Sequence, residues 1–325
     1  MATGCRLAIA GATGEVGRAL ISALEDAELE LAEVHALASA ASEDETIMYR
    51  GRALLVESLD DFDFKRADIV VFAVPETVAH KFVPQARAAA CRVIDHSAAF
   101  RLQDDVPLLV EGSVIPATDL VACPGALSSL LVPVLTALAP FQLQSVHVTA
   151  LNPVSMRGRA GTRELAGQTG ELLNARGIEP AVFPVQIAFN TLPVVGGQGA
   201  DALMDELERL LPEAVPVGLA EVVVPVFYGI SAALRLETAL PLSAAAAEKA
   251  LAAAGLLSPD SEQDQGVATP VTDASGQDGV YLSAVSALPA PFQGVQLWLV
   301  ADNVRQGAAR HSLYILKKWI KDFKY

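Results

Sequence analysis

Two stretches of this 325-residue chain carry residues that could act on a small molecule: a cysteine before a helix, and a glycine loop near the N-terminus. In VACPGALSSLL, residues 121–131, Cys123 precedes Pro-Gly and a run of small residues that opens a helix, a setting in which a thiolate nucleophile is sought. A reactive thiol needs a helix N-terminus or a neighbouring base to lower its pKa. Cys123 lies before a proline, where the chain is still extended, and has no matching base. It reads as a buried or partly buried inert thiol, with a relocated nucleophile as the alternative. Cys5 and Cys91 adjoin strand starts and read as packing residues. Three widely spaced cysteines with no CxxC or Cys/His pairing suggest neither a disulfide framework nor a metal site.

The second stretch, GATGEVG at 11–17, follows an apolar strand from Leu7 to Ala10 and precedes Val16, Leu20, Ile21 and Leu24 at helical spacing. Gly11, Gly14 and Gly17 let the backbone turn tightly, approach a pyrophosphate and pack a helix on a strand. With Thr13, Glu15 and Val16 between the glycines, the loop reads as a phosphate-binding turn at a helix N-terminus. A βα turn that binds nothing has the same pattern.

The elements that must position these residues show two rhythms. EVHALAS, ADIVVFAVP and CRVIDHS alternate with helical stretches such as PETVAHKFVPQARAAA, which predicts an α/β, Rossmann-type doubly wound domain with a mostly parallel sheet. From about residue 145 come the long strand-like runs SVHVTALNPVS, LAEVVVPVFYGISAALRLET, GVYLSAVSAL and GVQLWLVADN. They predict an α+β second domain with a mixed or antiparallel sheet and helices on one face. The polar segment 256–279 reads as an exposed loop, and the alanine-rich run 244–254 as a surface helix. The closing stretch places Ala309, Leu313, Leu316, Ile320 and Phe323 on one face of a core-packed helix, with Arg310, Lys317, Lys321 and Lys324 elsewhere.

About half the residues are hydrophobic and the formal net charge is −15, a balance that opposes binding to nucleic acid or anionic membrane. No apolar run reaches the length of a membrane span, and the first strand, placed from Arg6, leaves no room for an export signal. A soluble, cytoplasmic protein is expected. The acidic cluster from Glu25 to Glu33 reads as a solvated helix end.

Four stretches, in order along nearly the whole chain, resemble the aspartate-semialdehyde dehydrogenase family: GATGEVG, VIDHSAAFRLQDDVPLLV at 93–110, GIEPAVFPVQIAFNTLP at 177–193, and LVADNVRQGAA near the end. The resemblance implies a nicotinamide-nucleotide-binding domain over 1–128 plus 304–325, and a substrate and dimerisation domain over 129–303. It also implies a homodimer. The family reaction uses a cysteine thiolate, a histidine acid/base and basic groups for an anionic substrate. Ala126 stands at the nucleophile position, Ile230 at the histidine, Val223 at one substrate arginine, and Asn152 at the glutamine that orients the thioester. Arg101 survives as the other anion-binding arginine, and an ion pair with Asp104 or Asp105 is its structural alternative. The pattern resembles the Usg branch of the family, which lacks the cysteine.

For the cofactor, the resemblance implies contacts from Gly11, Thr13, Gly14, Glu15, Val16 and Ser39, and from Asn303 to the nicotinamide amide; a plain N-cap is the other reading of Asn303. Ser39 is followed by Glu43, Asp44 and Glu45, which would meet a 2′-phosphate with negative charge, and Ala73-Val74-Pro75-Glu76 replaces a glycine-rich turn and narrows the cleft. NAD(P) binding is therefore expected to be weak or lost. His96 lines a polar site or meets solvent at a strand end. The reading is a catalytically impaired homologue with a structural, regulatory or binding role. The alternative is an NAD(P)-dependent oxidoreductase for a less anionic aldehyde or acyl substrate.

Overall fold

Leu7, Ala8, Ile9 and Ala10 have no exposed surface, so β1 (Cys5–Ala10) is covered on both faces, as the central strand of a parallel sheet must be. The structure, a computed structural model, describes residues 4–27, 29–42, 45–194, 199–259 and 266–322. The chain divides into two units, Met1–Gly125 with Gly307–Tyr325, and Ala126–Gln306.

In the first unit, β1 leads into α1 (Glu15–Asp26), whose Leu20, Ile21 and Leu24 are buried. There follow β2 (Leu31–Ala38), β3 (Thr46–Tyr49), β4 (Arg52–Ser58), β5 (Ile69–Phe72), α2 (Glu76–Ala88), β6 (Arg92–Asp95) and β7 (Leu120–Ala122). The sheet order is β3-β4-β2-β1-β5-β6-β7, parallel except for the antiparallel edge pair β3/β4. The chain builds outward from β1 through β2 and β4, then restarts on the other side with β5. That reversal puts a crevice between the carboxyl ends of β1 and β5, where doubly wound sheets bind ligands.

The second unit opens with α3 (Ala126–Leu138) and continues through β8 (Leu143–Asn152), α4 (Gly158–Leu173), β9 (Leu192–Pro193), α5 (Gly199–Leu210), β10 (Val217–Val223), β11 (Ile230–Thr238), α6 (Ala244–Ala253), β12 (Val280–Ala287) and β13 (Gly294–Ala301). Its sheet, β12-β13-β11-β8-β10-β9, is mixed: β8 and β10 are parallel and the other pairs antiparallel. The single apolar run 219–238 is two strands, because the chain turns at Gly229, whose φ is +94°.

The segment 256–279 is not simply an exposed loop. Residues 260–265 lie outside the described residues, but Ala268 and Ala274 are buried against Val300, and the Trp298 indole N–H donates to the Ala268 carbonyl at 2.9 Å. The alanine-rich helix α6 is capped by the Ser243 hydroxyl and buries Ala247 and Leu251. The chain closes in α7 (Arg310–Asp322), which belongs to the first unit and buries Ile315, Leu316, Trp319 and Ile320, while Leu313 is only half-buried. Phe323 and Lys324 lie outside the described residues.

Candidate functional site

At the end of β1 the backbone makes the tight turn that the glycines predict. Gly11 has φ +84°, and a Cβ there would stand 2.1 Å from the Ala73 carbonyl oxygen. A Cβ on Gly17 would stand 2.3 Å from the Gly11 carbonyl oxygen and 2.7 Å from Ala12 Cα, so helix and turn touch through backbone alone. The turn is pinned to β2 by the Gly11 and Ala12 amides, which donate to Leu37 O at 2.8 and 3.0 Å. Gly14 is the N-cap of α1 and supplies no side-chain cap. The N-cap therefore supplies no side-chain oxygen, and Glu15 is the acidic residue of the first turn.

Beside the loop lies a cavity of about 490 Å³ lined by Gly11, Thr13, Gly14 and Ser39, with Asp60 and Lys81 among the other wall residues. Ala73, Val74 and Pro75 form part of the wall, where the sequence places a narrowing. Glu15 and Val16 are the first residues of α1 and are not in the lining. Glu43 and Asp44 lie outside the described residues; Glu45 pairs with Arg18 at 3.5 Å, and Arg18 Nε donates to the Thr13 carbonyl at 3.1 Å.

At the end of β6 the polar residues satisfy one another. The buried Asp95 carboxylate accepts from the Ser97 hydroxyl at 2.7 Å and the Ser97 amide at 3.2 Å, and burial raises its pKa. His96 is half-buried with Nε2 2.6 Å from the Ser312 hydroxyl, and burial, with the charges of His311 and Arg101, lowers its pKa to about 3. The imidazole is thus a neutral hydrogen-bonding group rather than a solvent-facing cation. Arg101 donates from Nε to the Cys123 carbonyl at 2.9 Å and from a terminal nitrogen to the His96 carbonyl at 2.7 Å, bracing the ends of β6 and β7. Cys123 has no exposed surface, and burial together with the Asp95 charge pushes its thiol far above the usual cysteine range. Both its burial and the raised pKa oppose a thiolate there.

In the second unit, α3 begins at Ala126, a half-buried methyl group. Asn152 ends β8 opposite Val223 on β10, and its Nδ2 donates to the Glu221 carboxylate at 2.9 Å. The Asn152 Oδ1 is buried with no hydrogen-bond partner. Val223 packs in a cluster with Val154, Leu165, Phe183 and Ile187, and Ile230 opens β11 at 1 % exposure. The fold brings Asn152 and Val223 together; Ile230, next to the Gly229 turn, is tied to Asn303 through that turn's backbone.

Asn303 Oδ1 accepts from the Gly229 amide at 3.1 Å, and Nδ2 donates to the Ser155 hydroxyl at 3.1 Å. The capping role belongs to the preceding residue: Asp302 Oδ1 accepts from the amides of Val304 and Arg305, both at 2.8 Å. Sequence reasoning passed over Glu221, whose signal is a lone carboxylate inside the apolar run LAEVVVPVF. Among the described residues, no three His, Cys, Asp or Glu side chains are grouped to hold a metal ion, and no helix is long and apolar enough to cross a membrane.

Known proteins match both units. Residues 6–113 match the model of the semialdehyde dehydrogenase NAD binding domain, and residues 131–306 that of the semialdehyde dehydrogenase dimerisation domain. A USG-1 protein homologue of Pseudomonas aeruginosa is 36% identical, over 98% of this chain and 98% of that one. An aspartate-semialdehyde dehydrogenase of Legionella pneumophila is 32% identical, over 98% and 96% of the two chains. Among solved structures, aspartate semialdehyde dehydrogenase II of Vibrio cholerae, in complex with ASA, superposes with a TM-score of 0.90 at 30% identity over 98% of this chain and 99% of that one. The chain belongs to the aspartate-semialdehyde dehydrogenase family.

Proposed function

We propose that the protein is a catalytically impaired, Usg-like member of this family, with a structural, regulatory or ligand-binding role. The supporting observation is the set of side chains at three matched positions: Ala126 where the nucleophile stands, Ile230 for the acid/base and Val223 for a substrate arginine. Alanine forms no thioester, and isoleucine moves no proton. Loss of a positioned acid/base alone costs about a hundred- to ten-thousand-fold. Glu221, on the same strand as Val223, adds a carboxylate where the family's substrate is anionic.

Weak nucleotide binding is the part of the ancestral machinery that the residues still fit; the alternative is that it is lost. Gly11, Thr13 and Gly14 with the start of α1 at Glu15 and Val16 would hold the phosphates, and Ser39 the 2′-position of the adenosine ribose. A bound nicotinamide would supply hydride transfer; Asn303, carried over as its amide contact, here orders the Gly229 turn and Ser155. The protein works as a homodimer in the cytoplasm. The rival reading, an oxidoreductase for a less anionic aldehyde or acyl substrate, draws on the apolar side chains of Val223 and Ile230.

Purified protein assayed with aspartate semialdehyde, phosphate and either nicotinamide cofactor should show no oxidation. Ala126→Cys alone should restore little, because the catalytic groups act as a unit. A ready rate that survives Cys123→Ser would sink the impaired reading, and turnover with another aldehyde or acyl phosphate would favour the rival.

A further inference from the structure

Among the described residues, the lining of the cavity beside the glycine loop holds one cation and one carboxylate, and they are bonded to each other: Lys81 Nζ lies 2.6 Å from Asp60 Oδ1. Asp60 sits just past β4, where the Leu59 amide donates to the Ala38 carbonyl at 2.8 Å and locks this turn beside the end of β2 and Ser39. Lys81 projects from α2 with its ammonium 4.4 Å from the centre of the Phe82 ring. Both side chains are more than half exposed, at 59% and 56%, so the pair forms a rim that a ligand can reach. The phosphate end of the cavity is fixed at Gly11, Thr13 and Gly14, in the turn after β1; the pair joins the turn after β4 to α2, and that turn lies on the β2 side of β1.

We infer that Lys81 and Asp60 form a charge selector at the rim of this cleft which, in addition to the acidic residues that follow Ser39 in sequence, sets how well it accepts an adenine nucleotide that carries a second phosphate on its ribose. The inference rests on the reading of the cleft as a nucleotide site. With Asp60 in place the pair presents no net charge to the ligand, and a ribose phosphate gains nothing from the rim. Without Asp60, one ammonium at the rim faces that phosphate, and opposite charges a few ångströms apart near a surface change an affinity by roughly tenfold. Such a gain shrinks as salt screens it. The ion pair is therefore a brake on the phosphorylated ribose, and Lys81 is the group it restrains.

The experiment is titration calorimetry of the full chain with 5′-AMP and with adenosine 2′,5′-bisphosphate, at low and at physiological salt. The proteins are the wild type, Asp60→Asn, Lys81→Met and the double variant; both sites are exposed, and thermal melts verify folding. Asp60→Asn should raise the bisphosphate-to-AMP affinity ratio about tenfold at low salt and less at physiological salt, and Lys81→Met on that background should cancel the rise. An unchanged ratio while AMP still binds overturns the selector and leaves the nucleotide site standing. Failure of every protein to bind either nucleotide overturns both the site and the selector.

Discussion

Cys123 and Ala126 are three residues apart, and the difference in their surroundings decides what the start of α3 can do. Ala126 opens the helix but has no reactive atom; Cys123 has the sulfur but is sealed where a thiolate is unstable. Burial also pushes the thiols of Cys5 and Cys91 up, to about 12 and about 11. The folded protein should therefore react with no thiol reagent at pH 8, and all three thiols should appear in denaturant. One fast thiol that disappears in Cys123→Ser would restore the relocated nucleophile. His311 makes a separate prediction. Its Nδ1 accepts from the Glu111 amide at 3.1 Å, which requires a neutral ring, and burial together with the Arg310 charge lowers its pKa to about 4. A depressed folded-state pKa means that the unfolded chain binds the proton more tightly. Stability is then full above the unfolded value of about 6.5 and is lost as pH falls toward 4, by about 2 kcal/mol at pH 5 from this group alone. Urea unfolding at pH 7 and pH 5 reads this difference together with the similar one from His96, and His311→Gln, which keeps an acceptor but does not titrate, should remove the His311 share, about 2 kcal/mol.

Among the elements, the β1-turn-α1 unit shows why one part of the site was legible in the sequence and another was not. Gly11 and Gly17 are required by close backbone approaches around one short turn, so their spacing by itself announces that turn. The Lys81–Asp60 pair and the Asn303–Gly229 bond join residues far apart in sequence, and no local pattern encodes them. Polar composition likewise concealed Ala268 and Ala274, which are buried although most of their neighbours are not. The roles of Val223 and Ile230 were visible only through the family resemblance, because as residues they are ordinary strand apolars. The turn permits a test that separates fold from site. Gly14 is the extended N-cap of α1, and a Cβ there meets only the Gly11 carbonyl oxygen, at 3.2 Å. Gly14→Asp adds the preferred N-cap carboxylate, offsetting that close contact, so stability should stay within about 1 kcal/mol of wild type. The same carboxylate stands where a pyrophosphate must approach, so nucleotide binding should be abolished. Gly17→Ala, whose methyl strikes backbone, should cost about 1–3 kcal/mol in the same melts. Equal nucleotide affinity in wild type and Gly14→Asp would show that the loop holds no phosphate.

For the whole molecule, the open question is what covers the second sheet. Val146, Val148 and Ala150 of β8 are buried, whereas the alternate residues His147 and Thr149 are exposed. On that face Ala233 is paired with Thr149 on β8 and with Trp298 on β13, and Arg235 and Gln296 lie beside them. The long apolar runs suggest a greasy face, but alternation sends most of their large side chains inward and leaves this side mixed, with a half-exposed Trp298 over a flat centre at Ala233. A stable contact hides about 800 Å² on each partner, within reach of a sheet of six strands joined through this face. Light scattering at micromolar concentration should then give twice the 34.0 kDa chain mass. Ala233→Arg should shift the protein to monomer, because residue 233 is exposed within one chain and the arginine would clash only with a second copy, and its melting temperature should lose the dependence on protein concentration that a dimer shows. A wild type that stays monomeric across that range would refute the dimer. A dimer that persists in Ala233→Arg would place the contact on another face.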